Sequence, residues 1–418
     1  MEKRSYIKAG WVIDGTGGPV VDNILLEIVD GRFGEILPVA AVTDVDPAAV
    51  TDLSHCTLLP PLVDSHLHLF MSSSTDVKIR DRQLIAGCEE LNPAIARHLH
   101  DLFSHGILGA RDGGDRLGCA ALFGARPEMH PQVALKVAGR AYYREGRYGG
   151  LIGRAVPVGE SLVSAYLASE AVGDVVKVVN SGLNSLNVFA KETAPQFSED
   201  ELRDLVVAAE QRGHKVMVHA NGKEPVRRAV AAGCHSIEHG YFMGEENLQL
   251  MAQKGTCWVP TVFTMKAFGL NIESTRTQSD AKVMQKTVEH QMQQLTLARQ
   301  LGVNVALGTD AGSLGVLHGE SMVEEMKLFK KVGYTLAETV HCATVAGAEL
   351  LGLTDFCGIQ EGAQATFLVS RGAPSQLPRK ILYLDSIYVA GVPSKLYRKN
   401  PVKHVEEFNK SIKRDHAA

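Results

Sequence analysis

The chain carries 418 residues, 45% hydrophobic and 22% charged, with a formal net charge of −4. That composition suits a globular protein with a large core and excludes a strongly basic surface built for nucleic acid or anionic membrane. No stretch approaches the roughly 20 apolar residues of a membrane span, and "MEKRSYIKAGWVIDG" lacks the apolar run of a signal peptide, so a cytoplasmic protein is expected.

In chain order, residues 5–36 read as short strands broken by Thr-Gly-Gly and Val-Asp-Gly turns. Eight β-branched runs follow: "LLPPLVDSHLH", "GILGARD", "QVALKVAG", "DVVKVVNSG", "HKVMVHANG", "CHSIEHG", "TCWVPTV" and "GVNVALGTDAG". Helical patterns separate them. "SEDELRDLVVAAEQRG" and "GEENLQLMAQKG" each start at a cap-like residue, carry acids in the first turn and end at Gly. Such alternation predicts an α/β fold, a (β/α)8 TIM barrel over 59–354. "ATFLVSRGAP" and "ILYLDSIYVAGVP" return to strand texture. With the N-terminal strands they predict a small β-sandwich-like domain from both chain ends, residues 1–58 plus 355–400. Residues 401–418 read as a polar tail, a surface helix or frayed end. The seven Cys are odd in number and include no CxxC pair. They point to a reducing compartment and argue against a disulfide framework or zinc knuckle.

The tripeptide His-Leu-His occurs twice. His66 and His68 follow an apolar run with two prolines, which suits a strand, where residues i and i+2 face one way. His98 and His100 lie in "NPAIARHLHDLFSHG", with helical spacing and a terminal Gly. On a helix they would sit about 200° apart and could not share an ion. Barrel active sites lie at the C-terminal ends of the strands. Those ends supply His66, His68, Lys177, His219, His239 and Asp310. Imidazole and carboxylate donors suit Zn²⁺ and related divalent ions. A single buried His is more readily explained as a satisfied polar group, but ionisable residues ending five strands are too costly to bury without function.

At these residues the chain resembles the amidohydrolase superfamily, in the binuclear branch whose strand-four lysine is carboxylated. "VKVVNSG", "HANGKEPVRRAVAAGCHSIEHG", "GTDAGSLGVLHGE" and "ARDGG" are similar to segments of prolidase-like and imidazolonepropionase-like members. The resemblance implies two divalent metal ions, zinc being expected. His66 and His68 would hold the more buried one, and His219 and His239 the second. Lys177 would bridge them as a CO₂-derived carbamate. Asp310 would touch metal and move protons as the catalytic base, then acid. Three departures stand out. Pro60-Pro61 replaces a Pro-Gly, Leu151 follows Gly149-Gly150 where prolidase-like members carry a histidine, and Asn221 stands where a tyrosine is common. The last two weigh against dipeptide cleavage.

The expected activity is hydrolysis, by a metal-activated hydroxide, of a C–N bond in a small molecule: an amide, cyclic amide or carbamate. Xaa-Pro dipeptide or lactone and ester hydrolysis are the alternatives, and a non-catalytic scaffold is a further one. A homo-oligomer is expected, with no nucleic-acid or membrane partner. "HSIEH", residues 235–239, also matches H-x-x-E-H, which binds zinc only on a helix. Glu238 then reads as a group behind the ligands or within the barrel. His318, Asn221, Arg111 and Tyr148 are candidate substrate contacts. For Arg111 an internal ion pair with Asp112 or a barrel acid is the favoured reading over a substrate carboxylate. Tyr142 and Tyr143 share the Gly-rich loop of Tyr148, and "VFTMKAFGL" offers an apolar wall.

Overall fold

The computed structural model describes residues 3–41, 45–130, 132–169, 173–275 and 278–399; the tail 401–418 lies outside the described residues. Both chain ends meet in one seven-stranded sheet of order β16-β15-β14-β4-β1-β2-β3. These strands are β1 (Arg4–Val12), β2 (Val21–Val29), β3 (Arg32–Pro38), β4 (Val50–Leu59), β14 (Phe367–Arg371), β15 (Ser386–Val389) and β16 (Val392–Pro393). β4 pairs parallel with β1 and antiparallel with β14, Leu59 opposite Leu368. Ile7, Leu26 and Leu58 from the first half pack with Phe367 and Tyr388 from the second in one apolar core.

The barrel runs through β5 (Leu62–Leu67), β6 (Ile107–Asp112), β7 (Ala134–Val137), β8 (Ala141–Arg144), β10 (Val175–Val179), β11 (Lys215–Ala220), β12 (Ser236–His239) and β13 (Cys257–Val259), paired parallel; β9 (Gly153–Val156) adds an edge beside β8. Its third position is split. β7 pairs with β6, the chain turns through Gly139 at φ +67°, and β8 then pairs with β10. The eighth position is a seam without a ladder. Trp258 N donates to Asn304 O, Ser65 N to Leu307 O, Asp310 N to His66 O and His68 N to Ala311 O, all within 3.0 Å. These bonds close the barrel between β13 and β5.

The outer helices follow their local signals. Ser198 caps the helix Glu199–Glu210 in a reciprocal capping box with Glu201, and Gly255 ends Glu245–Lys254 in the left-handed region. His98 and His100 lie on the helix Cys88–Ser104. Among the described residues no helix is long and apolar enough to cross a membrane.

The cysteine reading needs correction. Cys88 and Cys119 form a disulfide, and five cysteines stay free. An odd count conceals one pair, and a separation of 31 residues matches no spacing signature. The bond joins the starts of two helices, Cys88–Ser104 and Cys119–Gly124, that follow the first two barrel strands. Titration of the denatured, unreduced protein should find five thiols, and seven after reduction. Replacing both cysteines by Ala should cost about 2–4 kcal/mol in denaturant unfolding. Seven thiols without reduction would refute the bond.

Candidate metal centre

The site is built where β5 meets the seam. His66 and His68 alternate with Leu67, so both imidazoles point into the barrel, and both are buried. His66 Nδ1 lies 2.6 Å from Glu238 Oε2, and His68 Nδ1 2.9 Å from the Gly114 carbonyl. Both partners accept, so both Nδ1 atoms carry the proton and the lone pairs sit on Nε2. These Nε2 atoms lie 3.7 and 3.6 Å from Asp310 Oδ1. One donor atom from each of the three residues falls within 4.8 Å of the others, a group able to hold a metal ion.

Lys177, His219 and His239 border this group. In the parallel ladder Val179 stands beside His219, and Ala220 beside His239. The His239 ring lies 4.9 Å from that of His66 and 4.7 Å from that of His219. His219 Nε2 points to the Gly182 carbonyl at 3.2 Å, and His239 Nδ1 to Thr261 Oγ1 at 2.7 Å. Each ring therefore keeps one nitrogen for a ligand.

Burial dominates the electrostatics. It pushes His68 down to about 4, His219 to about 3, and His66 and His239 well below the usual imidazole range. It lowers Lys177 to about 8 and raises Asp310 to about 7. Every one of these groups is driven toward its neutral form. Two of their nitrogens, Lys177 Nζ and His66 Nε2, are buried without a hydrogen-bond partner among the described residues. Orphaned polar atoms are rare in folded proteins, and a cation among imidazole lone pairs and a carboxylate satisfies this set. The donors thus fit a divalent ion.

The backbone is shaped to the same end. His239, Thr261 and Asp310 adopt φ of +68°, +44° and +57°, at roughly 1–3 kcal/mol each. A Cβ on Gly308 would come within 2.8 Å of His66 N, and one on Gly113 within 2.8 Å of His68 Cε1. Glycine is what lets both segments press against the histidines.

The other sequence candidates fall outside this cluster. Arg111 is corrected as a substrate contact. It is buried, donating from Nε to the Ser65 carbonyl, from Nη1 to Ser236 Oγ and from Nη2 to Glu238 Oε1 at 2.9 Å. Its guanidinium is consumed within the barrel wall. His318 Nε2 lies 3.1 Å from the His68 carbonyl, and its ring stacks at 4.0 Å on His98, whose Nδ1 meets the Leu69 carbonyl. Asn221 Oδ1 accepts from Tyr241 N. The Tyr148 ring lies 5.7 Å from that of His219. Residues 236–239 form a strand, so the helical zinc reading of "HSIEH" does not apply; His235 instead accepts from Val216 N and faces Glu210. Nothing in the residue pattern signals that Thr261 and the Gly114 and Gly182 carbonyls orient the rings. Backbone acceptors leave no residue signature.

Glu238 binds three donors without solvent, so removing it strands Arg111. Glu238→Ala and Arg111→Met should each cost about 3–5 kcal/mol in unfolding, with the double variant well short of the sum. Additive losses would show that the two side chains are not coupled.

The Amidohydrolase family profile matches residues 57–393. An uncharacterized protein of Mycobacterium tuberculosis is 28% identical over 384 residues, covering 91% of this chain and 94% of its own. Ochratoxinase of Aspergillus niger is 32% identical over 174 residues, 41% of this chain and 34% of that one. The crystal structure of a Xaa-Pro dipeptidase with bound methionine superposes with a TM-score of 0.78 at 25% identity, covering 94% of this chain and 100% of that one.

Proposed function

This chain belongs to the amidohydrolase family, and on that footing we propose that it hydrolyses an amide, cyclic amide or carbamate C–N bond of a small molecule with two divalent ions, zinc being the expected metal. The observation that carries this reading is the pair of buried, partnerless nitrogens, Lys177 Nζ and His66 Nε2, amid four neutral imidazoles. His66, His68 and Asp310 would hold one ion, His219 and His239 the other. When bound, such ions lower the pKa of water toward neutrality and polarise a carbonyl oxygen.

The side chains supply the rest. With its pKa lowered to about 8, the Lys177 amine is partly neutral at pH 7. It can add to CO₂, forming an N–C bond and releasing one proton, which leaves a carbamate with two donor oxygens for the two ions. Asp310, raised to about 7 and steadied by Ser313 Oγ at 2.9 Å, is matched to proton transfer near neutrality. It takes a proton from the attacking water and returns it to the leaving nitrogen. The Tyr148 hydroxyl makes no hydrogen bond among the described residues, and burial raises its pKa. It remains a donor, suited to the substrate carbonyl oxygen. His318, donating to the His68 carbonyl, holds a ligand strand in place in this reading. Xaa-Pro dipeptide cleavage is the second reading, favoured by the likeness to the dipeptidase structure. Leu151 and Asn221 at the departures from the prolidase-like pattern weigh against it.

Metal analysis should find close to two divalent ions per chain, with His66→Ala and His219→Ala each losing metal. Lys177→Ala should be nearly inactive and partly rescued by short carboxylic acids, whereas Lys177→Arg, fixed as a cation, should not substitute. Full activity in metal-free protein would sink this reading.

A panel of N-acyl amino acids, cyclic ureides, carbamates, lactones and Xaa-Pro dipeptides should show turnover of the first three classes and poor turnover of free dipeptides. Xaa-Pro dipeptides as the best substrates would transfer the assignment to the second reading.

A further inference from the structure

β13 ends at Val259, and the helix Val262–Leu270 starts almost at once. Thr261 stands at its N-cap position, fully buried. A threonine there ordinarily takes an extended backbone and turns its hydroxyl onto the N–H groups of its own helix. Thr261 does neither. Its side chain makes no capping bond, and its backbone is left-handed, at φ +44° and ψ +48°. Its hydroxyl lies instead 2.7 Å from His239 Nδ1. For a β-branched residue that backbone is an outlier, so the surroundings must hold it.

The missing cap arrives from another helix. Glu325, on Glu320–Lys331, is fully buried. Its Oε1 accepts from Val262 N at 2.8 Å and its Oε2 from Phe263 N at 2.6 Å. These are the first two N–H groups of the helix, which have no partner within it. A buried carboxyl group is costly unless it is hydrogen-bonded, and here both oxygens are. Tyr241 Oη donates to the Thr261 carbonyl at 3.2 Å, and Gln291 Nε2 to the carbonyls of Pro260 and His239 at 3.2 and 2.6 Å. Those bonds fasten the backbone. Glu325 does something different: it pairs the amides that would otherwise compete for the Thr261 hydroxyl.

We propose that Glu325 is a positioning residue for His239: by capping the helix Val262–Leu270 in place of Thr261, it frees the Thr261 hydroxyl to fix the His239 ring for the ion shared with His219. This rests on the reading of His239 as a metal ligand. Without Glu325 the hydroxyl is drawn back to its own helix, and the ring loses the bond that orients it.

The test uses the full-length protein, stripped of metal and titrated with zinc alone, as the parent, Glu325→Gln, Glu325→Asp, Thr261→Val and the double variant Glu325→Gln with Thr261→Val. Glutamine keeps the size of glutamate but turns an N–H donor toward one of the two amides. Aspartate keeps the charge with a shorter reach and is the milder change. Zinc-soaked crystals, read by anomalous diffraction, give the occupancy of each position and the placement of Thr261. The ion at His219 and His239 should bind about 10–100-fold more weakly in Glu325→Gln and in Thr261→Val, the usual loss when a group behind a ligand is removed. Glu325→Asp should lose less, and the ion at His66, His68 and Asp310 should be little affected. In the Thr261→Val background, adding Glu325→Gln should change zinc affinity by less than about twofold, because the hydroxyl it serves is already gone. Losses that multiply in the double variant, equal weakening of both ions, zinc affinity unchanged in both Glu325 variants, or Thr261 unmoved in their crystals would each overturn the proposal. Parent crystals without zinc at His219 and His239 would remove the metal reading; Thr261 leaving His239 in the Glu325→Gln crystals would still uphold Glu325 as the residue that holds that ring.

Discussion

The centre of this molecule depends on one solvent-free carboxylate. Glu238, on β12, accepts from His66 across the barrel and from Arg111 on β6, while Arg111 reaches back to the carbonyl of Ser65 on β5. Three strands that are not all neighbours in the ladder are thereby joined through side chains. The same bonds determine which nitrogen of His66 carries its proton, and hence which lone pair faces the metal group. Structure and chemistry share one network: a change that loosened the barrel wall there would also turn the ligand.

Around that network burial pushes the carboxyl groups of the barrel interior up toward neutrality. Asp64, raised to about 6 by burial, accepts from Thr309 N and Oγ1 at the seam, and Asp112, raised to about 7, accepts from Leu69 N and Gly114 N. The carboxylates behind the ligands are satisfied by backbone N–H groups and, for Asp64, the Thr309 hydroxyl. At the centre Lys177 Nζ and His66 Nε2 are not. This contrast separates a polar barrel core in general from a place made to be filled. Left-handed φ at His239, Thr261 and Asp310 lies at the same place, where tight surroundings hold a conformation that local preference would abandon.

Much of this was legible in the residues. The i, i+2 spacing of His66 and His68 after a proline-bearing apolar run, and the ionisable residues Lys177, His219, His239 and Asp310 in four of the later runs, indicated both the barrel and the face that carries chemistry. What stayed hidden has physical reasons. The third barrel position breaks at Gly139, because one segment must pair with β6 below and β10 above. The eighth position is held by single bonds from β13 and β5, so its sequence reads as a strand while its geometry is a seam. The disulfide joins helices whose cysteines have no characteristic spacing. The partners of His68 and His219 are carbonyls delivered by distant turns. Arg111 could be read either way, since only register decides whether a guanidinium at a strand end looks out at substrate or across at an acid.

The seven-stranded sheet also sets an order of events during synthesis. Leu59 on β4 finds its partner in Leu368 on β14, about 310 positions later, which at about 5–20 residues per second means a wait of roughly 15–60 s on the ribosome. During that interval β1–β4 hold an open strand edge and an apolar face that Phe367, Val369 and Tyr388, with Ile359, Ala363 and Ala365, will cover. The barrel can close meanwhile, but the first strands made are among the last completed. A chain released early would expose a sticky edge, which makes the last stretch of the message, from about residue 359 on, the checkpoint for the whole protein.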